Sequence, residues 1–252
     1  MSGGFKDNFS TQSKEYSFSR PTYPESLFEF LSTVTPQKNL AWDCATGNGQ
    51  AAIGLSKYFK KVIASDASKN QILHGFQREN IDYKLFPAEN AELENDSVDI
   101  VTVAQALHWF DFDKFYCNVK RVGKKDGIIA VWSYDMHKIN PQIDKVTERL
   151  DVDGEILSSY WDKETKYVKE KYKTIVFPFR DIFVPVFKTT LYWNLHQLWD
   201  YMKTWSSVKK YYSENKRDPL DLVKPEVKTL WGDELDKKEV TWNINIRVGI
   251  IK

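Results

Sequence analysis

The sequence predicts an α/β fold: a Rossmann-like, mostly parallel sheet flanked by helices, with an added cap. Three observations carry this. Short apolar runs alternate with helical periodicities through the first half of the chain. A glycine-containing loop follows the first apolar run. Strand-like and helical segments mix in the second half. The length of 252 residues suits one α/β unit, since such folds often reach about 250 residues.

Pro24 suits a first helical turn, and Leu27, Phe28 and Leu31 follow at helical spacing. Asn39–Cys44 is a short apolar run bounded by Pro36 and the glycine loop, so it reads as a strand. A helix is expected over Gln50–Phe59. Val62–Ser65 is a short strand ending at Asp66. Ser68 caps a helix reaching about Asn80, with Gln71 placed as in a capping box. Asp82–Phe86 is a further strand candidate, and Val98–Ala104 is the clearest buried one. Asp111 then caps a helix whose Phe112, Phe115, Tyr116 and Val119 share one face. Gly123 ends it, and Gly127 opens the strand Ile128–Tyr134.

The second half differs. Ile143 to about Lys173 reads as helical and charged, with five Lys against two Glu over Lys163–Lys173, the pattern of a solvated face. Phe183–Trp193 is strand-like. Asn194 caps a helix carrying Leu195, Leu198, Met202 and Trp205. Val240–Ile250 is a last strand, with Trp242, Ile244, Ile246 and Val248 on one side.

Composition narrows the function classes. Lys and Arg total 36 against 35 Asp and Glu. That balance argues against a nucleic-acid partner, which normally shows as a strong basic excess. No run approaches the ~18 apolar residues of a membrane span. Residues 1–16 lack the apolar core of a signal peptide. Cys44 and Cys117 are too few for a disulfide framework and read as buried free thiols in a reducing compartment. A cytoplasmic location follows by elimination. Monomer and homodimer remain open.

The loop Asp43-Cys44-Ala45-Thr46-Gly47-Asn48-Gly49-Gln50 carries the chemistry. Glycines let a backbone approach a ligand without a Cβ clash, and the following helix offers its N-terminus. Asp66, ending the next strand about 20 residues on, is placed to accept hydrogen bonds from ribose hydroxyls. Gly47-x-Gly49-x-x-Ala52 formally fits a dinucleotide fingerprint. Asp43 argues against it: a pyrophosphate there would face a fixed negative charge with no Arg or Lys in the loop. An amino group and a sulfonium, both carried by S-adenosylmethionine, would be favoured instead.

These residues resemble the class I S-adenosylmethionine-dependent methyltransferases, in which an acidic residue and alternating glycines follow the first strand. Ala45 stands where that family's first glycine usually sits. Further segments are similar to the trans-aconitate methyltransferase-like subset (methyltransferase type 11): Arg20-Pro21-Thr22-Tyr23-Pro24 preceded by Tyr16, Ala88-Glu89-Asn90-Ala91-Glu92-Leu93, Ala104-Gln105-Ala106-Leu107-His108-Trp109-Phe110, and Thr204-Trp205-Ser206. The resemblance implies a seven-stranded sheet with an antiparallel last strand and a helical cap. It divides one domain, 1–252, into an N-terminal lid (1–36), a cofactor-binding core (37–135), inserted helices with a late strand and acceptor-side cap (141–239), and a final strand (240–251).

It also implies roles. Asp43 would anchor the methionine amino end, directly or through water. Ala45, Gly47 and Gly49 would shape the loop. Asp66 would hold the ribose, with Ala67 beside the adenine and Ala88 and Glu89 at its edge. Gln105 would face the methionine portion. Arg20 would pair with a carboxylate of cofactor or substrate. Tyr23, His108, Trp109 and Trp205 would meet the acceptor, and Tyr192, Trp193 and Trp199 would help to line its pocket. His108 is the catalytic candidate, as general base or hydrogen-bond donor, with packing as its plain alternative. A metal held by His108, Asp111 and Asp113 is set aside, because Asp111 is better explained as a helix cap. The expected activity is methylation of a small molecule, with O-methylation of a carboxylate as the specific reading. The alternatives are an RNA or protein methyltransferase, a non-catalytic binder of the cofactor, and an NAD-dependent oxidoreductase.

Overall fold

The computed structural model describes residues 20–252; Tyr16 lies outside them. The apolar triplet Leu27, Phe28 and Leu31 folds as α1 (Glu25–Val34), fully buried along one face. The parallel core follows as β1 (Leu40–Cys44), α2 (Gln50–Leu55), β2 (Lys61–Asp66), α3 (Lys69–Leu73), β3 (Ile81–Leu85), β4 (Val98–Ala104), α4 (Phe112–Val122) and β5 (Gly123–Tyr134). The cap elements are α5 (Pro141–Thr147), α6 (Thr165–Lys169), β6 (Arg180–Asp181), β7 (Phe187–Trp193), α7 (Leu195–Lys203), α8 (Ser206–Asn215) and α9 (Lys224–Trp231), and β8 (Lys238–Ile250) closes the chain.

The strands form one sheet in the order β3-β2-β1-β4-β5-β8. The first five are parallel, and β8 runs antiparallel to β5. The edge beyond β8 is shared by two segments, β6 against Gly249–Ile250 and β7 against Lys238–Ile244. The expected seven positions are therefore filled by eight strands, because residues 183–186 leave the ladder between β6 and β7.

Alternation sorts the strand residues between two layers. Trp42, Val101, Val103, Ile129 and Val131 face α4 through Phe115, Tyr116 and Val119. Ala41, Val62, Ala64, Ile100, Ile128 and Trp132 face α1 and α2. A third core in the cap packs α5, α7 and α9 around Trp193, Trp205, Trp231 and Trp242. Asp99, buried in β4, accepts from the Asn39 and Leu40 amides and pairs with Lys124, which pins the start of β1.

Several expectations needed correction. The helix after Ser68 stops at Leu73 rather than near Asn80; Gly75, which follows its end, packs tightly under Tyr83. The helix after the glycine loop ends at Leu55, and only turns reach Phe59. Gly123 already pairs with Val98, so β5 starts there, not at Gly127. Ile143–Lys173 is not one helix. It breaks into α5, 3-10 turns and α6, and the Gly154 site leaves no room for a Cβ against the Arg149 backbone. The late strand begins at Phe187, with Phe183 89% exposed. Cys44 is buried, but Cys117 is exposed, because it lies on the side of α4 away from Phe115, Tyr116 and Val119.

Gly54 of α2 packs so closely on α1 that a Cβ would lie 2.2 Å from the Phe28 ring. Gly54→Ala should therefore destabilise the protein by roughly 1–3 kcal/mol, the scale of an overpacked core. Urea denaturation measures it, and an unchanged midpoint would contradict the tight α1–α2 contact.

Candidate functional site

The candidate residues converge where the strand order reverses, beyond the carboxyl ends of β1, β2 and β4, the general location of ligand crevices in open α/β sheets. Asp43 lies at the end of β1, wholly buried. Its Oδ2 accepts from Thr46 Oγ1 at 2.5 Å and its Oδ1 from Thr102 Oγ1 at 2.7 Å. Burial raises its carboxyl to about 6, although both hydroxyls act in the opposite direction. The carboxylate thus sits under the loop and fixes its shape.

The loop itself needs left-handed backbone. Ala45, Gly47 and Gly49 have φ of +52°, +58° and +90°. A Cβ on Gly49 would strike Tyr83 Oη at 2.1 Å, so that glycine is enforced by its neighbour. At Gly47 the space is open, with the nearest atom 3.9 Å away. Ala45 holds the same left-handed region with a side chain, at a cost of about 1–2 kcal/mol.

Asp66 ends β2. Its Oδ2 accepts from the Gly47 amide at 2.9 Å and its Oδ1 from the Ser68 amide at 2.8 Å. Ala67 follows it, and Ala88 is buried beyond β3. Glu89 accepts from the Asp111 amide at 3.0 Å, tying this loop to α4. Asp111 itself caps α4, accepting from the Lys114 amide. Gln105 follows β4 with φ of +58°, its amide donating to the Trp132 carbonyl at 2.9 Å.

Two buried side-chain nitrogens, Asn48 Nδ2 and Gln105 Nε2, have no hydrogen-bond partner among the described residues. Leaving such donors unmet costs roughly 1–3 kcal/mol each. Together with the open face of Gly47 and the acceptor oxygens of Asp66, they fit a polar nucleoside ligand carrying an amino-acid end, as expected of S-adenosylmethionine.

Beyond Gln105 lies a cavity of about 540 Å³, within the range of small-molecule sites. Arg20, Gln105, His108, Tyr134, Tyr201, Trp109, Trp161 and Trp205 form walls. Arg20 donates to Tyr134 Oη at 3.0 Å and to the Thr204 carbonyl at 3.3 Å, and it lies over the Tyr201 ring. Four ion pairs among the described residues join residues of the cavity lining: Lys138–Glu148, Lys169–Asp151, Lys169–Asp153 and Lys171–Asp135. The structure brings Arg20, Gln105, His108, Trp109 and Trp205 together. Tyr23 does not line the cavity; it packs edge-on against Trp132 and Phe28. Trp193 and Trp199 belong to the cap core, and Tyr192 is 61% exposed. Sequence reasoning missed Asn48, Tyr134, Trp161 and Tyr201. Asn48 lay in the recognised loop and was legible; the others reach the cavity from distant elements.

His108 sits in a 3-10 turn, Leu107–Trp109, with Nδ1 2.9 Å from Tyr172 Oη. Burial lowers its pKa to about 3, so the ring is neutral. His137 is also wholly buried, against Tyr201 and Trp205, with neither ring nitrogen hydrogen-bonded among the described residues. Burial lowers it to about 3 as well.

These shifts set an acid sensitivity. Each histidine binds a proton below about pH 6.5 only in the unfolded chain, so each removes stability as pH falls. Asp43 does the reverse between about 4 and 6, since only its folded-state carboxyl is protonated there. The net is about one proton, or about 1.4 kcal/mol lost per pH unit between pH 6 and 4. His137→Leu should flatten that slope in urea denaturation run across this range. A slope unchanged by the substitution would mean that His137 is protonated in the folded protein.

Comparison with known proteins agrees with this geometry. Residues 42–131, from β1 to β5, match the methyltransferase domain family. A Dictyostelium discoideum protein assigned as a methyltransferase is 34% identical over 222 residues, 87% of this chain and 84% of its own. A Saccharomyces cerevisiae protein assigned as an S-adenosylmethionine-dependent methyltransferase is 28% identical over 180 residues, 67% of this chain and 60% of its own. Among solved structures, a protein of Anaeromyxobacter dehalogenans assigned as a type II methyltransferase superposes with a TM-score of 0.86 at 34% identity, over 92% of this chain and 98% of its own. With its sheet order, its glycine loop and its carboxylates at the ends of β1 and β2, the chain belongs to the class I S-adenosylmethionine-dependent methyltransferases.

Proposed function

We propose that the methyl acceptor is a small molecule bound in the cavity beside Gln105, and that the atom methylated is a carboxylate oxygen. The cavity carries this reading. It is sized for a small molecule and walled by Trp109, Trp161, Trp205 and Tyr201, with the Arg20 guanidinium at its side. Arg20 donates to Tyr134 Oη and the Thr204 carbonyl at the cavity wall, and a guanidinium there is the side chain suited to orient a carboxylate.

S-adenosylmethionine supplies an activated methyl group on a sulfonium, which leaves readily under in-line attack. The protein's work is then to orient the reactants and exclude water. Asp43, through Thr46 and Thr102, would hold the loop that receives the methionine end. Asp66 would accept from the ribose hydroxyls, and Ala88 and Glu89 would border the adenine. Gln105 would donate to the methionine portion. Trp109, Trp161 and Trp205 would keep water from the acceptor. A neutral His108 with pKa near 3 is a weak base. This agrees with an acceptor that arrives already deprotonated, as a carboxylate does.

The RNA reading would need a free basic surface, and part of the Lys163–Lys173 stretch is already paired. Of the Lys163–Lys173 stretch, Lys169 is paired with Asp151 and Asp153, and Lys171 with Asp135. Cations already neutralised do not add to a phosphate-binding surface.

Calorimetric titration with S-adenosylhomocysteine should show micromolar binding, and NADH should show none; binding of NADH alone would overturn the reading. Asp66→Ala should weaken S-adenosylhomocysteine binding by about 1–3 kcal/mol, the worth of hydrogen bonds to a charged group. Unchanged affinity would dismiss the ribose role. A methyl-transfer screen over di- and tricarboxylic acids should give an alkali-labile methyl ester. Arg20→Gln should then raise the acceptor KM at least about tenfold, the loss of one charged hydrogen bond, with cofactor affinity unchanged. A loss of cofactor affinity instead would assign Arg20 to the methionine carboxylate. Turnover of no acceptor, with S-adenosylhomocysteine still bound, would favour a non-catalytic binder.

A further inference from the structure

His108 is a wall of the cavity, yet its chemistry is decided from a segment 64 positions away. Tyr172 lies just beyond α6, wholly buried in the core that packs against α4. It is reached through two consecutive left-handed residues, Lys171 at φ +58° and Tyr172 at φ +57°. The Tyr172 amide donates back to the Tyr167 carbonyl at 2.8 Å, and the Lys171 amide to Val168 at 2.9 Å. This is a helix-ending motif that normally carries glycine at its left-handed position. Here side chains occupy those positions. Lys171 lines the cavity, paired with Asp135, while Tyr172 goes inward to His108. A strained backbone that places one side chain at a candidate catalytic group is a reason to ask what that side chain does.

The answer is a matter of donors and acceptors. A phenol has one hydrogen to donate, and a neutral imidazole has one N–H and one lone pair. His108 Nδ1 is the hydrogen-bond partner of the Tyr172 oxygen among the described residues. If Nδ1 carried the imidazole hydrogen it would donate to the phenol oxygen, and the buried phenol hydrogen would have no acceptor among the described residues, a costly arrangement. Both groups are satisfied when the phenol donates to Nδ1. The imidazole hydrogen then resides on Nε2, which has no protein partner among the described residues.

We infer that Tyr172 is a positioning residue that locks His108 as its Nε2–H tautomer, so that His108 meets the methyl acceptor as a hydrogen-bond donor and not as a base. The acceptor part of this inference rests on the proposed function; the tautomer does not. A donor at that point suits an acceptor oxygen that is already anionic, because it orients the oxygen without taking a proton. Burial, which holds the phenol well above its ordinary range, keeps it protonated and able to donate.

The test is long-range proton–nitrogen NMR correlation on protein labelled with 15N-histidine, with S-adenosylhomocysteine present and no acceptor needed. His108→Gln identifies the His108 signals by their loss. The wild type should show a protonated Nε2 and an unprotonated, hydrogen-bonded Nδ1, unchanged between pH 6 and 8. Tyr172→Phe, which keeps the ring, should give a mixture of tautomers. A wild type with hydrogen on Nδ1, or a Tyr172→Phe spectrum identical to wild type, would overturn the inference. The wild-type spectrum decides even where the variant does not fold. Once an acceptor is known, Tyr172→Phe should lower kcat/KM for it about tenfold with S-adenosylhomocysteine affinity unchanged. The shifted tautomer with no methyl transfer to any acceptor would overturn the proposed function and leave the role of Tyr172 toward His108 standing.

Discussion

Asp43 is the constraint from which the rest of the site follows. It is a carboxylate with no exposure to solvent, held by hydroxyls from the loop that follows it and from the neighbouring strand β4. Taking such a group out of water is expensive, and hydrogen bonds offset the cost only when their geometry is fixed. Thr46 and Thr102 therefore cannot drift, and neither can the loop between them and Gly49. The loop amide at Gly47 is then presented to Asp66 at the end of β2. One buried charge thus links three strand ends, β1, β2 and β4, at the point where the sheet order reverses.

The second half of the chain builds a different kind of surface. The cap has its own apolar core, rich in Trp, and it borders a cavity whose lining combines aromatic side chains with ion pairs. Arg20 enters this cavity from the N-terminal side, supported by Tyr134 from β5 and Thr204 from the end of α7. The strand-end loops are thus set by local turns, and the cavity by packing between distant elements.

The two buried histidines illustrate how burial alone sets chemistry. Neither has a carboxylate partner in hydrogen-bond reach among the described residues, and in both desolvation is the largest effect on the ring. Yet His108 has a phenol at Nδ1 and the cavity beside it, while His137 has neither nitrogen bonded. The same residue type at similar burial therefore carries a directed hydrogen bond in one place and a stability cost in the other.

Local signals in the sequence determined the core of the fold and the glycine loop with its strand-end carboxylates. Short apolar runs marked the five parallel strands, and Asp111 and Asn194 cap their helices as their side chains dictate. Asp43, Gly47, Gly49 and Asp66 were legible because strand-end carboxylates and glycine loops act within a few residues of chain. The tertiary structure alone decided the rest. Cys117 faces solvent because the apolar face of α4 excludes it. The charged Ile143–Lys173 segment breaks where the Gly154 backbone meets Arg149. Tyr23, Trp193 and Trp199 went to cores, while Trp161, Tyr134 and Tyr201 reached the cavity. Aromatic residues carry no local mark of which surface they will cover. That choice depends on packing between elements far apart in the chain, and periodicity does not encode it.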